Sequence, residues 1–367
     1  MSVAQQAPER ALEAHHYTDP AWFAHEQRTV FARTWQYAGH ASQVRNAGDF
    51  FAFALHGRSL FCVRDAEGAV RTFYNVCAHR AHELVAGAGH KRKLVCPYHA
   101  WSYGFDGRLA NAPGSREVPG FDATRICLTA VRTEVMGGFI FVNLDDSAAP
   151  MSQWYPGLAE GLAAFLPDLD VLEPVLTREV SERCNWKVSV ENYSECYHCR
   201  LNHPTFSSGV VDPKAYNITP YGHTLRHTTH AVSADSMSYA LDPDAHPHAM
   251  DYSSWFMWPG FSFQVYPGNV LNTYCWVAED ARTTRVVRHW YAPHGVASPA
   301  LEGLANQDLE TTVAEDIRLV ESVQRGLESG GYRPGPLVIN PAGGVISEHS
   351  ISALNGWLRE MTATAGS

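Results

Sequence analysis

No run of 18 apolar residues occurs in this chain of 367, so a membrane-spanning helix is not expected. Basic residues are in deficit: 28 Lys and Arg stand against 38 Asp and Glu, for a net charge of −10. With a pI near 6.0, nucleic acid and anionic membrane surfaces are poor partners. The opening residues, Met1-Ser-Val-Ala-Gln-Gln-Ala-Pro-Glu-Arg10, lack the apolar stretch of a secretory signal, and the eight cysteines show no disulfide-framework spacing. A reducing cytoplasm is therefore the expected location. Internal repeats and low-complexity tracts are absent too. What remains is an ordinary globular composition, 45% hydrophobic, long enough for two or three domains.

Against that background one spacing stands out. Cys77-Ala-His79 is followed, sixteen residues later, by Cys96-Pro-Tyr-His99. Zinc sites of the finger type pair cysteines in one knuckle and histidines in the other. Here each knuckle carries one of each, as a Rieske [2Fe–2S] cluster requires, with two cysteines on one iron and two histidines on the other. Gly87, Gly89, Pro97 and Gly104 suit tight loops around such a cluster. A structural zinc site is the competing reading, and the split knuckles weigh against it.

Around these knuckles the texture is that of short strands, Phe51–Leu55, Ser59–Val63, Val70–Tyr74 and Gly138–Asn143, separated by turns at His56-Gly57 and Glu67-Gly68. Asp19-Pro20 caps an earlier helix. Residues 1–16 read as frayed. The expected division is an N-terminal arm and helix at 1–34, a small β domain at 35–150 and a larger domain at 151–367. The larger domain mixes helices with strands at 261–266, 271–277 and 284–291, so the class is α+β.

A second metal site is readable in 184–204. His198 and His203, five residues apart, would diverge by about 140° on a continuous helix. Pro204 disfavours helical geometry at His203 and lets that residue turn back. Far downstream, Leu309, Val313, Val320, Val323 and Leu327 form an apolar stripe with one slot filled by Asp316. A carboxylate in such a slot is costly unless paired or bound to metal. Two histidines and a carboxylate make the facial triad of non-haem Fe(II) oxygenases, although a buried ion pair with Arg318 or Arg325 also accommodates Asp316. Glu195, one helical turn before His198, can hold its imidazole by a hydrogen bond. Cys196 and Cys199 form a C-x-x-C without the β-α context of a redox motif.

Taken together, these residues resemble the α subunit of the Rieske non-haem iron oxygenases, from about Trp35 to Leu327. The resemblance rests on Cys77-x-His79…Cys96-x-x-His99, on Glu191-Asn192-x-x-Glu195-x-Tyr197-His198-x4-His203, and on Glu315-Asp316-x-x-Leu319-Val320-Glu321. It implies a small all-β Rieske domain and a catalytic domain with an antiparallel sheet flanked by helices. It implies a [2Fe–2S] cluster, a mononuclear Fe(II) on His198, His203 and Asp316, and O₂ as co-substrate. Electrons are implied to come from NAD(P)H through a separate reductase. It also implies a homotrimer in which Glu195 links the cluster of one subunit to the iron of its neighbour, with Asn192 in the same catalytic segment. Ring-hydroxylating members carry Asp at the bridging position. Glu195 here, with Ile346-Ser-Glu-His-Ser-Ile351, resembles the branch acting on carnitine.

The expected activity is hydroxylation of a small quaternary or methylated amine of the carnitine or betaine type, followed by C–N cleavage. Residues 252–276 are dense in aromatics, and aromatic faces bind quaternary ammonium. Trp255, Trp258, Tyr266 and Tyr274 are the pocket candidates. The same residues also suit a plain sheet core, or the pocket of an arene hydroxylase. A bare electron carrier or a zinc-stabilised binding module would explain neither the length of the chain nor the second metal motif.

Overall fold

In a computed structural model the described residues are 8–204, 206, 207, 212, 214–237 and 239–363, with the side chain of Ser236 not described. They divide into two compact units, one within 32–150 and one formed by 8–31 with the described residues of 151–363. The anticipated arm 1–34 is therefore not a separate segment. Residues 8–31 pack with 151–363, in part through polar groups that need buried partners, while 32–34 belong to the other unit. Glu26, fully buried, accepts from Lys187 Nζ at 2.7 Å and Trp186 Nε1 at 2.9 Å, and Tyr17 donates to Glu191 at 2.8 Å. Nor are residues 8–16 frayed: Arg10 bridges to Pro336 and Leu12 is buried.

In the smaller unit seven antiparallel strands lie in the order Gln36–His40, Phe139–Asn143, Ala130–Met136, Val70–Tyr74, Arg58–Arg64, Asp49–Leu55 and Ala88–His90. Alternating apolar residues face a core of Phe50, Phe61, Phe73, Leu94 and Tyr103. The tight turns fall where expected, with His56, Gly57 and Gly68 all at positive φ. A second, three-stranded sheet of Leu94–Val95, Ser102–Tyr103 and Leu109–Asn111 carries the second knuckle.

The larger unit is built on seven antiparallel strands, in the order Leu172–Glu182, Thr284–Pro293, Val270–Ala278, Phe261–Tyr266, Asp251–Met257, Thr224–His230 and Asn217–Tyr221. One face of this sheet is set by the register His227, Ser254, Gln264, Asn272 and Trp290, residues paired in turn across five strands. The helix Trp186–Tyr193 packs on that face: Trp276 Nε1 donates to Ser189 Oγ at 2.9 Å, and Tyr193 Oη lies 3.0 Å from Ser254 Oγ. The helix Ala314–Glu328 also lies against it.

The apolar stripe expected at 309–327 is altered in one place. Val313, Val320 and Leu327 are buried, but Val323 is half exposed. Gln324 is buried instead, because its side chain accepts from the Asn185 backbone N–H at 3.0 Å.

Candidate metal centres and the pocket beside them

The two knuckles of the smaller unit have the same backbone design. The N–H of Ala81 donates to Cys77 C=O and that of Ala100 to Cys96 C=O, each closing a five-residue turn. Cys77 N–H donates to His82 C=O, and Cys96 N–H to Trp101 C=O. The left-handed positions within the two turns are Ala81 at φ 60° and Ala100 at φ 58°; of the glycines singled out from the sequence, Gly87 is left-handed too, at φ 62°, in the segment after the first knuckle. Gly89 is instead a strand residue and Gly104 lies beyond the second knuckle. Both cysteine side chains are buried in one apolar cluster and carry free thiols. His79 and His99 are exposed, with ring centroids 4.7 Å apart, and His79 stacks on Trp101. Tyr103 Oη lies 3.0 Å from Cys77 Sγ and accepts from Ala78 N–H, a contact not anticipated from sequence. Hydrogen bonding to a ligand sulfur is one of the ways a protein tunes a cluster.

In the larger unit His198, His203 and Asp316 converge. The helix that starts at Trp186 ends at Tyr193, and a short turn of helix, Cys199–Asn202, follows His198. Glu195 and His198 therefore face one another across a turn and not along a continuous helix. His203 caps that turn at φ −119°, out of the helical region as the following proline demands. The two Nε2 atoms are 3.0 Å apart, with Asp316 Oδ1 at 3.1 Å from His203 and 3.5 Å from His198. Each Nδ1 meets a carboxylate, Glu195 Oε1 at 2.5 Å for His198 and Glu315 Oε2 at 2.8 Å for His203. Asn192 Nδ2 is 3.4 Å from His198 Nε2. The role of Glu315 was missed. Its only sequence signal is its place beside Asp316.

Carboxylates that accept from both Nδ1–H groups leave the Nε2 lone pairs directed at one another. Asp316 Oδ1 is buried and makes no well-directed hydrogen bond. Three electron-rich atoms this close repel unless a cation sits among them, and two nitrogens and one oxygen are the donor set of the non-haem iron triad. Burial opposes a charged His198, but Asp316 and Glu195 outweigh it and push its pKa up to about 10. Burial likewise works against the Asp316 carboxylate, yet the two imidazoles hold its pKa down. The field therefore favours positive charge at this point. These residues fit a mononuclear iron.

Asp316 reaches the site through a helix irregularity. Positions 308, 312 and 316 would drift by about 40° per step on a regular helix. The wider π turn Leu309–Val313 slows that rotation, and Asp308, Thr312 and Asp316 all line one cavity.

That cavity, of about 70 Å³, has walls of Tyr193, Phe206, Tyr216, Tyr252, Tyr266 and Tyr274. Tyr266 and Tyr274 are thus placed where the sequence suggested, but Trp255 and Trp258 are not. Strand alternation puts Trp255 on the opposite face from Tyr252, against Phe165 with centroids 5.4 Å apart. Trp258 lies past the strand end and packs on Trp186 at 5.5 Å. A much larger cavity of about 580 Å³, near Phe165, His246 and Tyr291, contains none of the ligand groups. Cys196 and Cys199, expected to have no redox role, are joined by a disulfide that brackets His198.

Two metal centres on these two architectures define an oxygenase that draws electrons through an iron–sulfur cluster. A family model of the Rieske [2Fe-2S] domain matches residues 34–122, and one of the ring hydroxylating alpha subunit catalytic domain matches 169–364. The carnitine monooxygenase oxygenase subunit of Escherichia coli (strain K12) is 33% identical over 353 residues, 95% of this chain and 93% of the relative. The chloroplastic choline monooxygenase of Beta vulgaris is 31% identical over 355 residues, 94% of this chain and 75% of the relative. The crystal structure of the quaternary ammonium Rieske monooxygenase CntA with L-carnitine superposes with a TM-score of 0.84. It is 30% identical and covers 97% of this chain and 96% of that one. The chain belongs to the Rieske non-haem iron oxygenases, as an α subunit of the monooxygenase type, with a [2Fe–2S] cluster and a mononuclear iron as cofactors and O₂ as co-substrate. No described helix is long and apolar enough to cross a membrane.

Proposed function

We propose that this chain is the terminal oxygenase that hydroxylates a small quaternary or methylated amine of the carnitine or betaine type. The observation that carries this reading is the ring of six aromatic side chains beside the His198–His203–Asp316 group. A cation over an aromatic face gains about 0.5–2 kcal/mol, more where water is excluded. The neighbouring carboxylates of Glu195 and Asp316 add to that preference.

His198, His203 and Asp316 would hold the iron, which when bound supplies activation of O₂ for insertion into a C–H bond. Glu195 and Glu315 fix the imidazole orientation by accepting from Nδ1–H. Asn192 sits beside His198 as a positioning group. The aromatic wall excludes water and turns a carbon next to nitrogen toward the metal ligands. Hydroxylation there gives a carbinolamine. Loss of its hydroxyl proton, formation of the C=O bond and cleavage of the C–N bond then release an aldehyde and the tertiary amine.

Electrons come from NAD(P)H by way of a separate reductase and the Cys77/His79/Cys96/His99 cluster. The assembly is a homotrimer in the cytoplasm, with Glu195 as the link between a neighbour's cluster and this iron. A solved relative described as showing inter-subunit electron transfer supports that wiring. The test is a substrate screen with a surrogate reductase, scoring trimethylamine or formaldehyde release and product mass. Ammonium substrates should yield amine and aldehyde. Conversion of arenes or aromatic acids alone would replace this reading.

A further inference from the structure

One buried group in the iron pocket takes no part in holding the metal. His227, 1% exposed, sits in the strand Thr224–His230 opposite Ser254, on the face that carries the pocket. Its Nδ1 is 2.8 Å from Tyr216 Oη, which ties the ring in place. Its Nε2 is buried and meets no hydrogen-bonding group among the described residues. A buried polar atom left without a partner is costly, and at a pocket wall a water or a ligand group can supply the missing partner. Two of the surrounding hydroxyls are already engaged: Tyr193 Oη with Ser254, Ser262 and Gln264, and Tyr216 Oη with His227 itself. Among the described residues no Lys or Arg lines the cavity, and Arg288, the guanidinium beside it, is paired to Asp308 at 2.9 Å.

Resting on the ammonium reading above, we propose that His227 holds the oxygen-bearing end of the substrate by a hydrogen bond at Nε2, and so selects the carbon presented to the metal ligands. The oxygen is a carboxylate or a hydroxyl, since either can meet an imidazole. Burial drives the pKa of His227 down to about 3, so the ring is neutral and places no positive charge beside an ammonium. His227 is thus a positioning and specificity residue, not a metal ligand.

The test uses the iron-loaded full chain and three probes of matched length: 4-trimethylammoniobutanoate, 4-hydroxybutyltrimethylammonium and butyltrimethylammonium, which has no oxygen. Binding is followed by calorimetry and turnover by product mass. The wild type should bind at least one oxygen-bearing probe about tenfold more tightly than butyltrimethylammonium. His227→Phe should erase that preference, leave butyltrimethylammonium binding within about twofold, and scatter the site of hydroxylation. Tyr216→Phe, which frees the ring, should show the same selective loss in smaller measure, and His227→Gln should restore part of it. Loss for the carboxylate alone assigns an acid tail, and loss for the alcohol alone assigns a hydroxyl tail. If His227→Phe does not fold, the Tyr216→Phe and His227→Gln variants decide by the same criterion. Equal weakening of all three probes, or no change in any, overturns the assignment. A wild type that binds none of them removes the ammonium reading itself, and this proposal with it.

Discussion

Both units offer two histidines to a metal centre, yet they build the offer in opposite ways. In the smaller unit every candidate ligand falls in the segment from Cys77 to His99, on two loops that repeat one hydrogen-bonded turn. The thiols are buried and the imidazoles exposed. In the larger unit the candidate ligands are separated by more than a hundred residues, from His198 to Asp316, and each imidazole is aimed by a carboxylate. Local backbone geometry suffices for the first centre. The second needs a sheet, two helices and a π turn to bring its atoms together. The difference predicts that the cluster tolerates damage to the catalytic unit, whereas the iron site depends on residues that never touch it.

The largest effect should come from the ligands themselves. Asp316→Ala should reduce turnover to background while the visible spectrum of the cluster stays intact. Cys77→Ser should do the reverse to the metals, removing the Rieske EPR signal while iron still binds at the second site. If either variant empties both centres, the two sites are not independent.

Next come the carboxylates behind the histidines. Glu315→Gln should weaken iron binding about 10- to 100-fold, measured by metal analysis after dialysis, with no change in cluster content. Glu195→Gln, assayed at full iron loading, should lower turnover by a similar factor, with slow cluster reoxidation under O₂ and substrate. Wild-type reoxidation in Glu195→Gln would reduce that residue to a structural role and remove support for the trimer wiring.

A stability test follows. Lys187→Met leaves the buried Glu26 carboxylate without its cation and should destabilise the catalytic unit by about 3–5 kcal/mol in denaturant unfolding. The cluster spectrum should persist to higher denaturant than catalytic-unit fluorescence. The smallest effect is expected at Ala100→Gly. Relief of a left-handed alanine, worth about 1–2 kcal/mol, is opposed by the extra freedom of glycine, about 0.5–1 kcal/mol. A net gain below about 1.5 kcal/mol, confined to the cluster unit, is the expected outcome.

How far the sequence alone reaches follows the same division. The candidate cluster ligands could be read as a motif because a short-range motif needs only loops, and loops are written in consecutive residues. The convergence of His198, His203 and Asp316 could be anticipated for two reasons, a proline that forbids a continuous helix and an acid in an apolar stripe. Other features were settled only by the folded chain. Glu315 and Tyr103 are ordinary residues until a neighbour distant in sequence arrives. Trp255 and Trp258 looked like pocket walls because composition records aromatics but not the face of the strand they occupy. Tyr193, Phe206, Tyr216 and Tyr252 line the cavity because three-dimensional register brings them there. The N-terminal segment joined the larger unit through Glu26, whose charge is met by Lys187, and through Leu12, Tyr17, Val30 and Phe31 in its core. Patterns of spacing determine which atoms can bind a metal. Burial, register and the pairing of buried charges, which depend on residues far apart in the chain, decide what surrounds it.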